Sequence, residues 1–184
     1  MATLCSVKEC MGCGACFNVC PKDAISMQEN KEGFLFPIID NVRCIDCKRC
    51  EKVCPIISPI KKHEKSDKPL AVMSRSESIR QKSSSGGMFS LLASYVLKNN
   101  GVVFGAAFKK DYTVSHLSAE NEGELEKLRG SKYLQSNTKR TYSEVKELLK
   151  ENRLVLYTGT PCQIAGLYGF LGNVNTDILI PADL

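Results

Sequence analysis

Between Cys10 and Pro21 the sequence reads CMGCGACFNVCP, and between Cys44 and Pro55 it reads CIDCKRCEKVCP. Both stretches have the form C-x2-C-x2-C-x3-C-P, so the first third of the chain contains an internal repeat. The spacing has a physical meaning. Three thiolates on one tight loop can hold three corners of an iron–sulfur cubane, and the chain then leaves as a short helix that cannot curl back to the fourth corner. The fourth cysteine of each run is therefore expected to bind the other cluster. This assigns Cys10, Cys13, Cys16 and Cys54 to one 4Fe-4S cluster, and Cys44, Cys47, Cys50 and Cys20 to a second. Each following proline turns the chain away from the metal and removes an amide donor that would lack a partner. Zinc sites favour cysteine pairs with longer gaps.

The 184 residues include ten cysteines, nine of them before residue 55. Such clustering points to metal; a disulfide framework would spread its cysteines. Cys5 lies outside the pattern and reads as a spare surface thiol, with exchange for Cys10 as the alternative. Between the two runs, AISMQEN alternates with Ile25 and Met27 on one face. KEG is a turn, and FLFPIID alternates with Phe34, Phe36 and Ile38 on one face. A small β-hairpin packed over two cuboidal clusters is expected.

Residues 59–69, PIKKHEKSDKP, have linker composition: polar, Lys-rich and bounded by prolines. His63, within it, reads as a solvated histidine. Beyond the linker the pattern becomes α/β. LAVMS (70–74) reads as a short strand. SSSGG precedes a helical stripe of Met88, Leu91, Leu92, Tyr95 and Val96. GVVFGAAF is a continuous apolar strand, and TVSHLSA is expected to pair with it; His116 in that stretch carries no evident function. A helix with Tyr142, Val145, Leu148 and Leu149 follows, then the buried strand LVLYT. Pro161 suits a first helical position ahead of Ile164, Leu167, Tyr168 and Leu171. TDILI is a last strand. The fold class expected is α+β: a cluster-binding domain over 1–58, the linker over 59–69, and an α/β domain over 70–184 with a mixed or largely parallel sheet.

Charge is uneven. Residues 1–58 are formally neutral, with seven basic and seven acidic side chains, and the remainder carries the whole net charge of +5. A solvated surface with a Lys-rich linker explains this excess; a domain that holds phosphate groups explains it equally in kind. No basic stripe interleaves with aromatics, so a nucleic-acid partner is not expected. The longest apolar run is too short to span a bilayer, and the start lacks an apolar signal core. A cytoplasmic protein without a membrane span is the expectation.

Two loop-to-helix junctions look chemical. KSSSGGMF places hydroxyls and glycines before a helix, which suits either an anion site or simple capping by Ser84 or Ser85. TGTPCQ lies between a buried strand and a helix, where α/β folds usually bind ligands; its plainer reading is a turn with an inert buried cysteine.

The order SSSGGMFSLLASYVL, GVVFGAAF, LRGSKYLQS, LVLYTGTPCQIAGL resembles the coenzyme F420 hydrogenase/dehydrogenase beta-subunit family from about Leu70 to Leu171. The eight-cysteine pattern before it resembles bacterial dicluster ferredoxins. The family resemblance implies an iron–sulfur flavoprotein subunit. It would pass electrons between 4Fe-4S clusters and FAD toward coenzyme F420 or another organic acceptor, with a partner oxidoreductase or an electron donor or acceptor protein. It also implies that Ser84, Ser85, Gly86 and Gly87 line the flavin site. Arg129, Gly130, Ser131 and Lys132 would approach phosphate or the flavin ring, and Thr158, Gly159, Thr160, Pro161, Cys162 and Gln163 would form a third wall. An inert thiol, or a ligand of a further cluster, are the alternatives for Cys162. Family members continue past the strand matching TDILI, usually with a Cys-His-Gly segment. Here the sequence reads IPADL and stops, which reads as a C-terminal truncation that weakens or abolishes FAD binding. A plain dicluster electron carrier and a non-catalytic docking subunit are the other functional readings.

Overall fold

The computed structural model describes residues 2–59 and 70–183. His63 and all of the expected linker beyond Pro59 lie outside the described residues.

In the N-terminal part, each cysteine loop runs into a very short helix. The first loop leads into α1 (Ala15–Val19). Its cap, Gly14, is left-handed, and a Cβ there would lie 2.2 Å from the Thr138 hydroxyl. The hairpin is β1 (Ile25–Glu29) and β2 (Leu35–Ile39), paired antiparallel. The second cysteine loop leads into α2 (Arg49–Lys52).

The hairpin register selects the face that covers the cysteines. Ile25 lies opposite Ile39, and Met27 opposite Pro37. Residues directly opposite share a face, so the face over the cysteines is Ile25, Met27, Pro37 and Ile39. Phe34 is 55% exposed and Ile38 is 37% exposed. Both faces of FLFPIID are apolar, so alternation alone could not choose between them. The turn chooses: the Asn30 amide donates to the Phe34 carbonyl at 2.8 Å, and this fixes the pairing.

The C-terminal part begins without the strand expected at LAVMS; residues 70–74 form no ladder. Helices α3 (Glu77–Gln81) and α4 (Met88–Lys98) follow. Then come β3 (Val102–Phe108), β4 (Val114–Ala119), α5 (Glu122–Leu125), α6 (Thr141–Lys150), β5 (Val155–Gly159), α7 (Pro161–Leu171) and β6 (Leu179–Asp183). The sheet order is β4-β3-β5-β6. β4 is antiparallel to β3, whereas β3, β5 and β6 are parallel.

Strands buried on both faces need apolar residues at successive positions, and β3 and β5 supply them. Val102, Phe104, Val155 and Tyr157 pack on one face with Tyr142, Val145 and Leu149 of α6 and Ile164, Leu167 and Leu171 of α7. Val103, Ala107 and Leu156 pack on the other with Ala93 and Val96 of α4 and with Leu125 and Leu128. The buried side of α4 is Ser90, Ala93 and Val96. The expected stripe is therefore offset: Met88, Leu91 and Tyr95 lie at its exposed edge.

The N-terminal part docks on the α6/α7 layer. Ala15 and Val53 belong to the same core cluster as the sheet. Two glycines of α7 make the approach possible. A Cβ on Gly166 would lie 3.0 Å from the Cys13 sulfur, and one on Gly169 would lie 2.7 Å from the Val53 carbonyl oxygen. Arg140 closes the seam. It donates to the Phe17 carbonyl at 2.8 Å, stacks 3.9 Å over the Phe17 ring and pairs with Asp23.

Candidate functional site

The eight cysteines of the two runs surround two separate cavities. One, of about 390 Å3 of free space, is walled by Cys10, Cys13, Cys16 and Cys54 together with Cys5. The other, of about 350 Å3, is walled by Cys20, Cys44, Cys47 and Cys50. The folding reason is local. Cys16 and Cys50 lie within α1 and α2, and each helix leads the chain to the fourth cysteine of its run, Cys20 or Cys54, at the cavity of the opposite repeat. Met27 and Pro37 of the hairpin cover the first cavity, and Ile25 and Ile39 cover the second. Backbone amides aim at several of the sulfurs, among them Gly12 N–H at Cys10 (3.5 Å) and Ala24 N–H at Cys20 (3.3 Å). Such N–H···S bonds tune iron–sulfur potentials.

Burial pushes Cys13 up to about 11 and Cys5 up to about 12, and it raises Cys16 and Cys50 as well. Buried thiolates need a strong positive charge beside them, and bound iron supplies it. Among the described residues no three Cys, His, Asp or Glu side chains converge closely enough for a single metal ion. The cysteines surround a space and not a point, which suits a polynuclear cluster and does not suit tetrahedral zinc.

A third and larger cavity, of about 1580 Å3 of free space and open to solvent, lies between the two parts of the chain. It sits beyond the carboxyl end of β5 and at the start of α7, the usual ligand position in α/β sheets. Cys10 and Met11 of the first cysteine loop and Phe34 and Leu35 of the hairpin form one side. Two sequence-expected segments form the other: Gly130, Ser131 and Lys132, and Thr158, Gly159, Thr160, Cys162 and Gln163. Pro161 is the first residue of α7 and does not line the cavity. Gln163 anchors this wall. Its carboxamide oxygen accepts from the Thr160 amide (3.0 Å), and its NH2 donates to the Ser136 carbonyl (3.1 Å). The Cys162 sulfur lies 3.1 Å from the Thr160 hydroxyl.

Besides Pro161, one expected residue and one expected segment fall elsewhere. Arg129 is tied up with Glu122, Glu126 and the Ser90 hydroxyl, because the acidic turn before it offers closer partners than any cavity. Ser84, Ser85, Gly86 and Gly87 do not line the cavity, although the Ser84 hydroxyl reaches the Ser131 hydroxyl in its wall at 3.3 Å. Left-handed Gly87 is the cap of α4, with no side-chain capping bond from either serine. The cation that does face the cavity is Lys132. Its ammonium donates to the Arg129 carbonyl at 2.6 Å, and burial lowers its pKa.

His116 is the residue that sequence reasoning passed over. It is buried on β4 and lines the cavity. A carbonyl can only accept, so Nε2–H donates to Thr158 O (2.9 Å), and Nδ1 accepts from the Ser136 hydroxyl (2.7 Å). Burial pushes its pKa down to about 4, so the ring is neutral. It joins the 130s segment to the end of β5. Gln135 joins the same segment to the hairpin: its oxygen accepts from the Leu35 amide at 2.6 Å.

Residues 9–56 match the family model of the 4Fe-4S dicluster domain. Residues 70–141 match the model of the N-terminal region of the coenzyme F420 hydrogenase/dehydrogenase beta subunit. The N-terminal part is a 4Fe-4S dicluster ferredoxin domain. It is similar to an uncharacterized ferredoxin of Methanocaldococcus jannaschii, 32% identical over 68 residues, which make up 33% of this chain and 87% of that protein. It is also similar to one component of the ion-translocating oxidoreductase complex of Buchnera aphidicola, 38% identical over 63 residues, or 32% of this chain and 13% of that protein. A chain of the F420-reducing [NiFe] hydrogenase complex from Methanosarcina barkeri aligns with a TM-score of 0.40 at 25% identity, covering 50% of this chain and 32% of that one. The chain thus spans only a small part of the length of these last two proteins. It is an iron–sulfur electron-transfer protein related to F420 hydrogenase beta subunits. Among the described residues no helix is long and apolar enough to cross a membrane.

Proposed function

We propose that this chain moves electrons between two 4Fe-4S clusters and an organic redox ligand, FAD, bound in the cavity between its two parts, on the way to coenzyme F420 or another organic acceptor. Cys10, Cys13, Cys16 and Cys54 hold the first cluster, and Cys20, Cys44, Cys47 and Cys50 hold the second. The observation that carries the reading is that Cys10 and Met11 belong both to the wall of the first cysteine cavity and to the wall of the large one. A cluster on the first quartet would therefore sit beside the ligand, with the second quartet as the exchange point for a partner oxidoreductase.

The residues present fit such a ligand. The cavity is large, mixes apolar with polar side chains, and carries a cation, Lys132, to meet phosphate. When bound, a flavin supplies the conversion between single electrons and two-electron hydride transfer. The chain's own residues do the rest. Met11, Phe34 and Leu35 exclude water from the side nearest the first quartet. Lys132 offers charge. Gln163 and His116 hold the wall at Thr158–Thr160 in one position.

The test is titration of the anaerobically reconstituted chain with FAD, followed by flavin fluorescence. Saturable binding of one FAD per chain is expected, weakened about ten-fold in Lys132→Ala by loss of a charge-assisted contact. Absence of saturable binding in a chain that carries about eight irons would leave the second reading, a plain dicluster carrier. The match to nearly the full length of a ferredoxin favours that alternative.

A further inference from the structure

The first cysteine cavity contains a fifth thiol. Cys5 lines it beside Cys10, Cys13, Cys16 and Cys54. Its sulfur lies 4.0 Å from the Cys54 sulfur, and Cys10 is its other thiol neighbour. Among the described residues, the second cavity is walled by its four cysteines and no other.

The position of Cys5 is built from both sides. Ala2 is buried in the same small core as Cys16, Ile25 and Cys50. The Thr3 amide donates to the Glu51 carboxylate at 2.7 Å, and Glu51 lies three residues before Cys54. On the other side the amides of Glu9 and Cys10 both donate to the Ser6 carbonyl, at 3.0 and 2.9 Å. This turn folds residue 10 back over residue 6. The segment carrying Cys5 is thereby pinned between Cys54 and Cys10, at the rim where the ligand from the distant repeat enters.

We propose that Cys5 is a reserve ligand of the first cluster and takes the corner of Cys54 when that thiolate is missing. The inference rests on the reading that Cys10, Cys13, Cys16 and Cys54 hold a 4Fe-4S cluster. The exchange needs no oxidant. Cys5 gives its proton to solvent and forms one Fe–S bond in place of the one that Cys54 makes, and the iron and sulfide keep their oxidation states. With Cys5 in that corner, all four ligands lie within the first sixteen residues. The first cluster then no longer depends on the second run for its construction.

The test counts iron and acid-labile sulfide in the full chain after anaerobic reconstitution, with EPR of the reduced protein. Cys5→Ala should keep about eight irons. Cys54→Ala should also keep about eight, with the signal of the first cluster shifted in shape, while Cys5→Ala/Cys54→Ala falls to about four. Cys16→Ala, with no reserve thiol at its corner, should fall to about four as well. If the alanine variants do not fold, Cys54→Ser with and without Cys5→Ala makes the same comparison in a residue of nearly native size. There, all-sulfur coordination in Mössbauer and EPR spectra should depend on Cys5. A parent chain short of eight irons overturns the cluster reading and the reserve role with it. A parent chain with eight irons and a Cys54→Ala variant with four overturns the reserve role alone.

Discussion

The Tyr142 hydroxyl lies 2.7 Å from the Cys13 carbonyl and 2.8 Å from the Gln163 carbonyl. One phenolic proton is thus shared between the first cysteine loop and the first turn of α7. Burial raises the pKa of Tyr142 well above its ordinary value, so the proton stays in place. Thr138 adds a second tie at the same point, donating to the Cys13 carbonyl at 3.4 Å. Cys13 also lies near enough to Cys162 for the two thiols to act on one another electrostatically. One buried hydroxyl therefore sets the spacing between a cysteine of the first quartet and the wall of the large cavity.

Removing that hydroxyl should loosen the seam without removing a ligand. Tyr142→Phe removes one donor from each of two carbonyls, that of Cys13 keeping its bond from Thr138, a loss of about 1 kcal/mol. The melting temperature should fall while the iron count stays at the parent value. Rapid-mixing measurements should show slower electron transfer from the clusters to an added acceptor. Unchanged stability and an unchanged rate together would mean that the hydroxyl does not hold the two parts in register.

The crossing of ligands between repeats predicts an effect at a distance in sequence. Cys20 belongs to the first run but faces the cavity of Cys44, Cys47 and Cys50, and among the described residues no fifth thiol lines that cavity. Cys20→Ala should lose about four irons, and the remaining EPR signal should be that of the cluster on Cys10, Cys13 and Cys16. If the lost signal is instead that of the first run, each run serves its own cluster.

The parts of the molecule governed by short-range rules were readable in the sequence. The x2-x2-x3 spacing, the buried strands at Val102–Phe108 and Val155–Gly159, and the Pro161 start of α7 are all local. What tertiary contact decides was not readable. The facing side of β2 depends on a turn that sets register, since both of its sides are apolar. The buried side of α4 is chosen by Val103, Ala107 and Leu156 of the sheet beneath, which favour small Ala93 over bulky Tyr95. Arg129 carries the right charge for a phosphate, but Glu122 and Glu126 are nearer. Alternation alone places His116 on a strand. Its role depends on Ser136 and Thr158, twenty and forty-two residues away.

His116 makes a prediction about pH. Its folded pKa is depressed to about 4 by burial, partly opposed by the Thr158 carbonyl, whereas an unfolded histidine titrates near 6.5. Its ring also stacks on Tyr157 with centroids 5.2 Å apart. Between those pH values the unfolded chain binds a proton that the folded chain does not. Stability is therefore lost as pH falls from 6.5 toward 4, by up to about 3 kcal/mol, and His116 contributes no dependence above that window. His116→Gln should be less stable than the parent at pH 7 by about 1–3 kcal/mol through its altered hydrogen bonds. The gap between the two should narrow as the pH is lowered. Parallel stability curves across pH 4–6.5 in urea titrations would show that the buried ring does not titrate in this way.

Cys162 stands apart from the other nine cysteines, and the fold explains its place. It follows Thr160 and Pro161 on the first turn of α7, lines the large cavity, and lies near Cys13 across the seam. Its sulfur is half-buried at the cavity wall, within reach of an alkylating reagent. Both quartets are complete without it. Cys162→Ser should therefore leave iron content and both EPR signals unchanged. It should weaken FAD binding by roughly 1 kcal/mol, about five-fold, through the loss of one sulfur contact. Alkylation of Cys162 in the parent chain should slow when FAD is present. Iron loss in the serine variant, or about twelve irons in the parent chain, would make Cys162 a ligand of a further cluster. Equal FAD affinity combined with alkylation that FAD does not slow would place the flavin away from this wall.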